Sequence, residues 1–178
     1  MPGTAPAQKI LRADAAAHDP EFSAEFYASY GEAACAALTL LCDARKAMPD
    51  SVLAIRYRLK SAASIREKLQ RKGLPETAQA AVAALRDVAG LRAVLTDQGA
   101  VYRFAELLLS RGALQLIDVH DYIASPKQSG YRSLHLIVHV PVFRCKHMHC
   151  VPVEIQLRTA VMDIWACAEH RLIYKPRI

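Results

Sequence analysis

Between Ser51 and Lys60 the chain alternates strictly. Leu53, Ile55, Tyr57 and Leu59 fall on one side, and Arg56, Arg58 and Lys60 on the other. A period of two over such a run predicts a half-buried strand with one cationic face. The Ala/Leu-rich stretch before it has helical character. Asp19-Pro20 offers an N-cap followed by proline at the first helical position, the helix runs to Met48 with a weak point at Gly31, and Pro49-Asp50 stops it. After the strand, Ser61 caps a helix that Gly73 closes. A short Ala-rich helix is expected within Pro75 to Leu85. Val88 to Leu95 then reads as a strand, Ala100 to Gly112 as a helix, and Leu114 to Tyr122 and Ser133 to Val140 as strands. Arg144 to Cys150 reads as a polar turn, Val151 to Leu157 as the last strand, and Thr159 to Tyr174 as the last helix. Alternating strands and helices predict an α/β chain: a mixed sheet flanked by helices, with a hairpin near its end.

At 178 residues the chain suits one domain with a full core. A composition of 53% hydrophobic and 22% charged residues excludes a disordered chain. Residues 1–18 read as a frayed Ala/Pro-rich lead and 19–178 as a single domain. No apolar run reaches the ~18 residues of a membrane span, and the N-terminus lacks the apolar core of a signal peptide. The five cysteines are Cys35, Cys42, Cys145, Cys150 and Cys167. Their odd number, with Cys35 and Cys42 in a helical run, favours reduced, partly buried thiols and a cytoplasmic location. The net charge of +6 suits a phosphate-rich ligand and equally suits a merely soluble surface.

Candidate chemistry lies in four places. Ser64, Lys68 and Arg71 share a helix face by their i, i+4, i+7 spacing, and Arg58 and Lys60 end the strand just upstream. Such a set either converges on phosphates or forms a solvated basic face. In the last strand, alternation sets Glu154, Gln156 and Arg158 opposite three aliphatics, and Asp87 precedes an earlier apolar strand. Mg²⁺ is held by one or two carboxylates together with phosphate oxygens, which makes Asp87 and Glu154 the metal candidates; an edge charge and a turn residue are the plainer readings. Asp87 and Arg92 have opposite parity, so their sharing a site calls for a bend or bulge at Gly90. The third place is the turn-rich loop Asp121-Tyr-Ile-Ala-Ser-Pro-Lys-Gln-Ser-Gly-Tyr-Arg-Ser-Leu-His135, where an aromatic ring can lie on a base and cations on phosphates. The fourth is the last helix, where Asp163, Cys167, His170 and Tyr174 share a face and Trp165 and Ile173 pack elsewhere.

Three segments occur in order: Asp87-Val-Ala-Gly-Leu-Arg92, the loop ending at His135, and Val153-Glu-Ile-Gln-Leu-Arg-Thr159. With Arg58-Leu-Lys-Ser-Ala-Ala-Ser64 and Met162-Asp-Ile-Trp-Ala166, they resemble the RelA/SpoT-type (p)ppGpp synthetases, in particular the small alarmone synthetases. The resemblance implies the nucleotidyltransferase-like synthetase fold. It also implies transfer of the β,γ-pyrophosphate of ATP to the 3′-hydroxyl of GDP or GTP, a GTP diphosphokinase activity using Mg²⁺. On it, Arg58 and Arg92 sandwich adenine, while Lys60, Ser64, Lys68 and Arg71 hold the triphosphate. Lys127 and Arg132 neutralise the acceptor's 5′-diphosphate, Tyr131 stacks on its base, and His135 and Gln156 complete the acceptor side. Asp163 accepts hydrogen bonds from guanine N1 and N2. Asp87 and Glu154 bind the metal, and Glu154 also stands as the base for the 3′-hydroxyl.

Two further readings stay open. Toxic relatives in this family modify the tRNA 3′ end or make adenosine alarmones, and a non-catalytic nucleotide or RNA sensor would keep the fold alone. Cys145-Lys-His-Met-His-Cys150 holds metal-ligand types, but crowded into six residues without paired CxxC spacing. The dipeptides His18-Asp19 and His120-Asp121 lack the rest of an HD phosphohydrolase pattern, so synthesis without hydrolysis is expected. Family tetramers carry further helices after the position of Tyr174-Lys175, so the oligomeric state is left open.

Overall fold

The computed structural model describes residues 21–144 and 147–169. The expected lead, Asp19-Pro20, Cys145, His170, Ile173, Tyr174 and Lys175 lie outside the described residues.

Helix α1 (Ala24–Ala47) begins at Ser23, whose hydroxyl accepts the Phe26 amide. It buries Tyr30, Gly31, Ala33, Ala34, Ala37, Leu41 and Ala44, a stripe at helical spacing. Gly31 does not interrupt it: the glycine lies in the buried face, where close packing outweighs its poor propensity. The small residues of this stripe let the helix lie close on the sheet. Strand β1 (Val52–Leu59) follows, then α2 (Ala62–Arg71), α3 (Ala78–Ala84), β2 (Ala89–Leu95), α4 (Gln98–Ser110), β3 (Gln115–Asp121), β4 (Leu134–Arg144), β5 (His147–Thr159) and α5 (Ala160–Glu169).

Helix α2 is capped as the sequence predicts. Ser61 Oγ accepts the Ser64 amide. At the other end Gly73, at φ +67°, lets its own amide reach Gln70 O while the Leu74 amide reaches Leu69 O. These are the paired bonds of a Schellman close.

The strands form one sheet in the order β1-β2-β5-β4-β3. β2 and β5 run parallel, and the other pairs are antiparallel. This is the mixed sheet with a terminal hairpin expected from the sequence. Helices α1 and α4 pack on one face, over Leu91, Ala93, Leu136, Val138, Val153, Ile155 and Leu157. The opposite face carries the polar residues.

Three expectations need correction. Leu53 does not join the buried side of β1: a bulge between Val52 and Ala54 breaks the alternation, and Leu53 is 52% exposed. The stretch from Arg144 to Cys150 is not a turn throughout. β4 and β5 stay paired out to Arg144 opposite His147, because antiparallel pairing continues where the apolar pattern has stopped. Cys42 is exposed rather than partly buried. No described helix is long and apolar enough to cross a membrane.

Candidate active site

The register of the sheet arranges the polar face as a grid. One row runs Arg58, Gly90, Glu154, Ile137; the next runs Arg56, Arg92, Gln156, His135. Arg158 continues the β5 column. The grid follows from the period of two: each strand turns its aliphatics to α1 and α4 and its polar residues to this side.

Around Gly90, β2 stays in regular register with both β1 and β5, so Gly90 is not a bulge. Its missing side chain serves another end. The Arg58 side chain lies over it, with Cγ 3.8 Å from where a Cβ would stand. Asp87 escapes the parity conflict because it precedes the first residue of the strand. Its Oδ2 receives Lys68 Nζ at 2.7 Å and Lys60 Nζ at 3.0 Å. Its Oδ1 is buried and has no hydrogen-bond partner. Burial alone would raise the Asp87 pKa; the Lys68 hydrogen bond and the charges of Lys60 and Lys68 outweigh it and hold the group below its ordinary value.

Glu154 shows the same balance. Burial pushes its pKa up, but the His135 hydrogen bond and charge and the Gln156 bond bring it below the ordinary value, while the nearby Asp87 charge opposes them. Glu154 Oε1 lies 3.1 Å from His135 Nδ1, and Oε2 accepts Gln156 Nε2 at 2.8 Å. A carboxylate only accepts, so Nδ1 carries the proton of that contact. His135 Nε2 meets the Tyr131 hydroxyl at 2.8 Å, and that oxygen accepts Arg158 NH2. A chain of hydrogen bonds thus links Arg158 through Tyr131 and His135 to Glu154.

Arg158 leads on to Asp163. Asp163 Oδ1 accepts Arg92 NH1 at 3.0 Å and Arg158 NH1 at 3.2 Å, and Oδ2 accepts Arg56 NH1 at 3.1 Å. Gln156 Oε1 also takes bonds from Arg92 and from Arg158. Asp163 is 7% exposed.

The structure therefore brings Asp87, Glu154, Lys60, Lys68, Arg58, Arg92, His135, Gln156 and Asp163 to one face. Ser64 bonds Ser61 through its hydroxyl, and Arg71 is exposed in the last turn of α2. Lys127 and Arg132 are exposed on the loop. Two residues differ from expectation. Tyr131 does not offer an open ring: it is 9% exposed, and Lys127 Nζ lies 4.9 Å from its centroid and 4.6 Å from that of Tyr122. Asp163 is not open to a base, since both its oxygens are taken by arginines. Trp165 is 51% exposed, and its Cζ2 lies 3.5 Å from the Cβ position of Gly130, which sits at φ +81° in the loop. Arg56 and Arg158 carry much of this network, yet sequence reasoning assigned neither a role. Their signal was parity alone, which placed them on the polar face without naming a partner. The described residues hold no group of three metal-ligating side chains, and Cys145 of the Cys/His run lies outside them.

A profile of the region found in RelA / SpoT proteins matches residues 57–178. The chain belongs to the RelA/SpoT family. The GTP pyrophosphokinase YwaC of Bacillus subtilis (strain 168) is 41% identical over 118 residues, which cover 66% of this chain and 56% of that protein. The chain spans about half the length of the curated relatives it matches. The crystal structure of small alarmone synthetase 1 from Bacillus subtilis superposes with a TM-score of 0.78 at 35% identity, over 85% of this chain and 78% of that one. The same synthetase bound to its product pppGpp gives 0.65 at 38% identity, over 70% of this chain and 63% of that one. The fold is that of a RelA/SpoT synthetase domain.

Proposed function

We propose that this domain transfers the β,γ-pyrophosphate of ATP to the 3′-hydroxyl of GDP or GTP. The observation that carries the proposal is the pair of half-buried carboxylates on the polar side of the sheet, Glu154 and Asp87, both held ionised by their neighbours. The similarity to a synthetase bound to pppGpp supports the guanine nucleotide as acceptor.

In the reaction the acceptor 3′-oxygen attacks the β-phosphorus, the bond from that phosphorus to the α,β-bridging oxygen breaks, and AMP leaves. The 3′-hydroxyl proton passes to Glu154. His135 and Gln156 fix that carboxylate at both oxygens, so it needs no reorganisation to receive the proton. Lys60 and Lys68 supply charge for the triphosphate, with Ser64 and Arg71 further along the same helix. Arg58, whose side chain passes over Gly90, and Arg92 take the adenine, for which planar guanidinium suits better than ammonium. Lys127 and Arg132 take the acceptor diphosphate. Stacking of the acceptor base on Tyr131 requires Lys127 to leave the ring and move to the phosphates it would neutralise.

Asp87 and Glu154 would hold Mg²⁺. The fit rests on Asp87 Oδ1, a buried hard oxygen with no partner, and on anionic oxygen donors being what Mg²⁺ takes. When bound, the ion neutralises charge developing on the phosphate oxygens. The reading places the domain in the cytoplasm, where these nucleotides are abundant.

The test is transfer from labelled ATP by the purified chain, with GDP, GTP, AMP and tRNA offered separately. Label in GDP and GTP is expected. Label in tRNA alone would replace this reading with tRNA modification, and no transfer to any acceptor would leave a nucleotide-binding module.

A further inference from the structure

Asp163 is the meeting point of three guanidiniums, carried by β1, β2 and β5. One carboxylate faces three positive charges and offsets their mutual repulsion. Burial first, and then the Arg158 charge, press the Arg92 pKa below its ordinary value, and Asp163 restores part of it.

The three arginines do not depend on Asp163 equally. Arg158 is buried and also bonds Ser133, Tyr131 and Gln156. Arg92 keeps two contacts with Gln156, at 3.4 and 3.3 Å, both longer than its 3.0 Å bond to Asp163. Arg56 is 61% exposed, and Asp163 is its side-chain partner. Loss of the carboxylate therefore falls on Arg56 and Arg92. Arg158, and with it the chain through Tyr131 and His135 to Glu154, remains anchored.

We infer that Asp163 is a positioning residue for the ATP side of the site, acting by holding Arg92 against the repulsion of its neighbours, and that it does not read the acceptor base. The inference rests on the reading of Arg92 as a contact to the donor adenine. With Asp163 gone, Arg92 is repelled by Arg158 and held only by the longer Gln156 contacts, so its guanidinium plane no longer stands ready for a base. Asparagine in its place keeps the volume and one acceptor oxygen but turns an amide N–H₂ toward an arginine. Its effect should lie between those of aspartate and alanine.

The experiment measures equilibrium binding of ATP and of GDP by calorimetry, which needs no turnover. It uses the full chain as wild type, Asp163→Asn, Asp163→Ala, Arg92→Ala and the double variant Arg92→Ala/Asp163→Ala. Asp163→Ala is expected to weaken ATP by about tenfold, the scale of one lost charge-assisted hydrogen bond, and to change GDP affinity by less than about twofold, within the scatter of a site left untouched. The double variant should bind ATP no more weakly than Arg92→Ala alone, because the two residues act as one unit. If Asp163→Ala is unfolded, Asp163→Asn carries the same comparison.

The inference is overturned if the Asp163 variants lose GDP and keep ATP, or if the two substitutions add. The underlying reading fails separately: Arg92→Ala with unaltered ATP affinity removes Arg92 from the donor site and the inference with it. An effect of Arg92→Ala without one from Asp163→Ala removes the inference alone.

Discussion

Glu154 decides the chemistry at the scale of single residues. Glu154→Gln keeps the size, and the new amide oxygen can still accept from His135, but the charge and the basic site are gone. Transfer should fall by at least ~10²-fold, the usual contribution of a general base, with the circular dichroism spectrum unchanged; near-normal turnover would remove Glu154 from the mechanism. The pH dependence follows from the sign of the shifts. Glu154 and Asp87 both have folded pKa values below their ordinary ones. Their contribution to stability is fully present above the unfolded values and is lost as pH falls through the folded ones. The acid limb of kcat/KM should therefore lie below the ordinary carboxylate range, and acid unfolding should shift to higher pH in Asp87→Asn. A titration of both variants and wild type checks this. Residue types were legible in the sequence at this scale, but partners were not. Asp163 was visible as a carboxylate on a helix, yet nothing in its neighbourhood along the chain showed that arginines 107, 71 and 5 residues away converge on it.

Among the elements, α2 was the most legible, since its start and stop are both local chemistry. Ser61→Ala should cost about 1 kcal/mol of stability by the loss of an N-cap, read as a drop in the urea midpoint. It should also weaken ATP, because α2 carries Lys68 to Asp87. An unchanged midpoint would mean that packing of Ile65 and Leu69 alone holds the helix. The acceptor loop is the opposite case. Its turn residues were plain, but its conformation depends on Trp165 of α5 lying beside Gly130, a contact made across the fold. Gly130→Ala places a side chain at φ +81° and 3.5 Å from the indole. Acceptor affinity should fall while ATP affinity holds, and the reverse pattern would separate the loop from the acceptor. The start of α1, expected at Pro20 and found after Ser23, and the reach of the β4–β5 pairing were misjudged for a shared reason. Backbone pairing and capping set those ends, and Ser23 and the His147–Cys150 stretch carry no hydrophobic period to mark them.

The whole molecule is a sheet with two unlike faces. Aliphatics lie against α1 and α4, charges face the other way, and the parallel pair β2–β5 at the centre sets Arg92 beside Gln156 and Gly90 beside Glu154. Ile155, fully buried between its two site neighbours in sequence, joins the faces energetically. Ile155→Ala should cost roughly 2–5 kcal/mol in denaturant unfolding, and it should lower activity only through the folded fraction. The fold class and the buried side of the strands were legible because the alternation is plain in β1 beyond its bulge and in the site half of β5. The pairing order was not, since a period of two says which way a side chain faces and nothing about which strand lies beside it. Pyrophosphoryl transfer at this polar face is tested most directly by single-turnover product analysis with the purified chain, Mg²⁺, GDP and ATP labelled at its β- and γ-phosphates. The predicted result is AMP and a guanosine nucleotide carrying both labels in equal amounts, absent with Glu154→Gln. Release of ADP, or label in the guanosine product from the γ-phosphate alone, would contradict it.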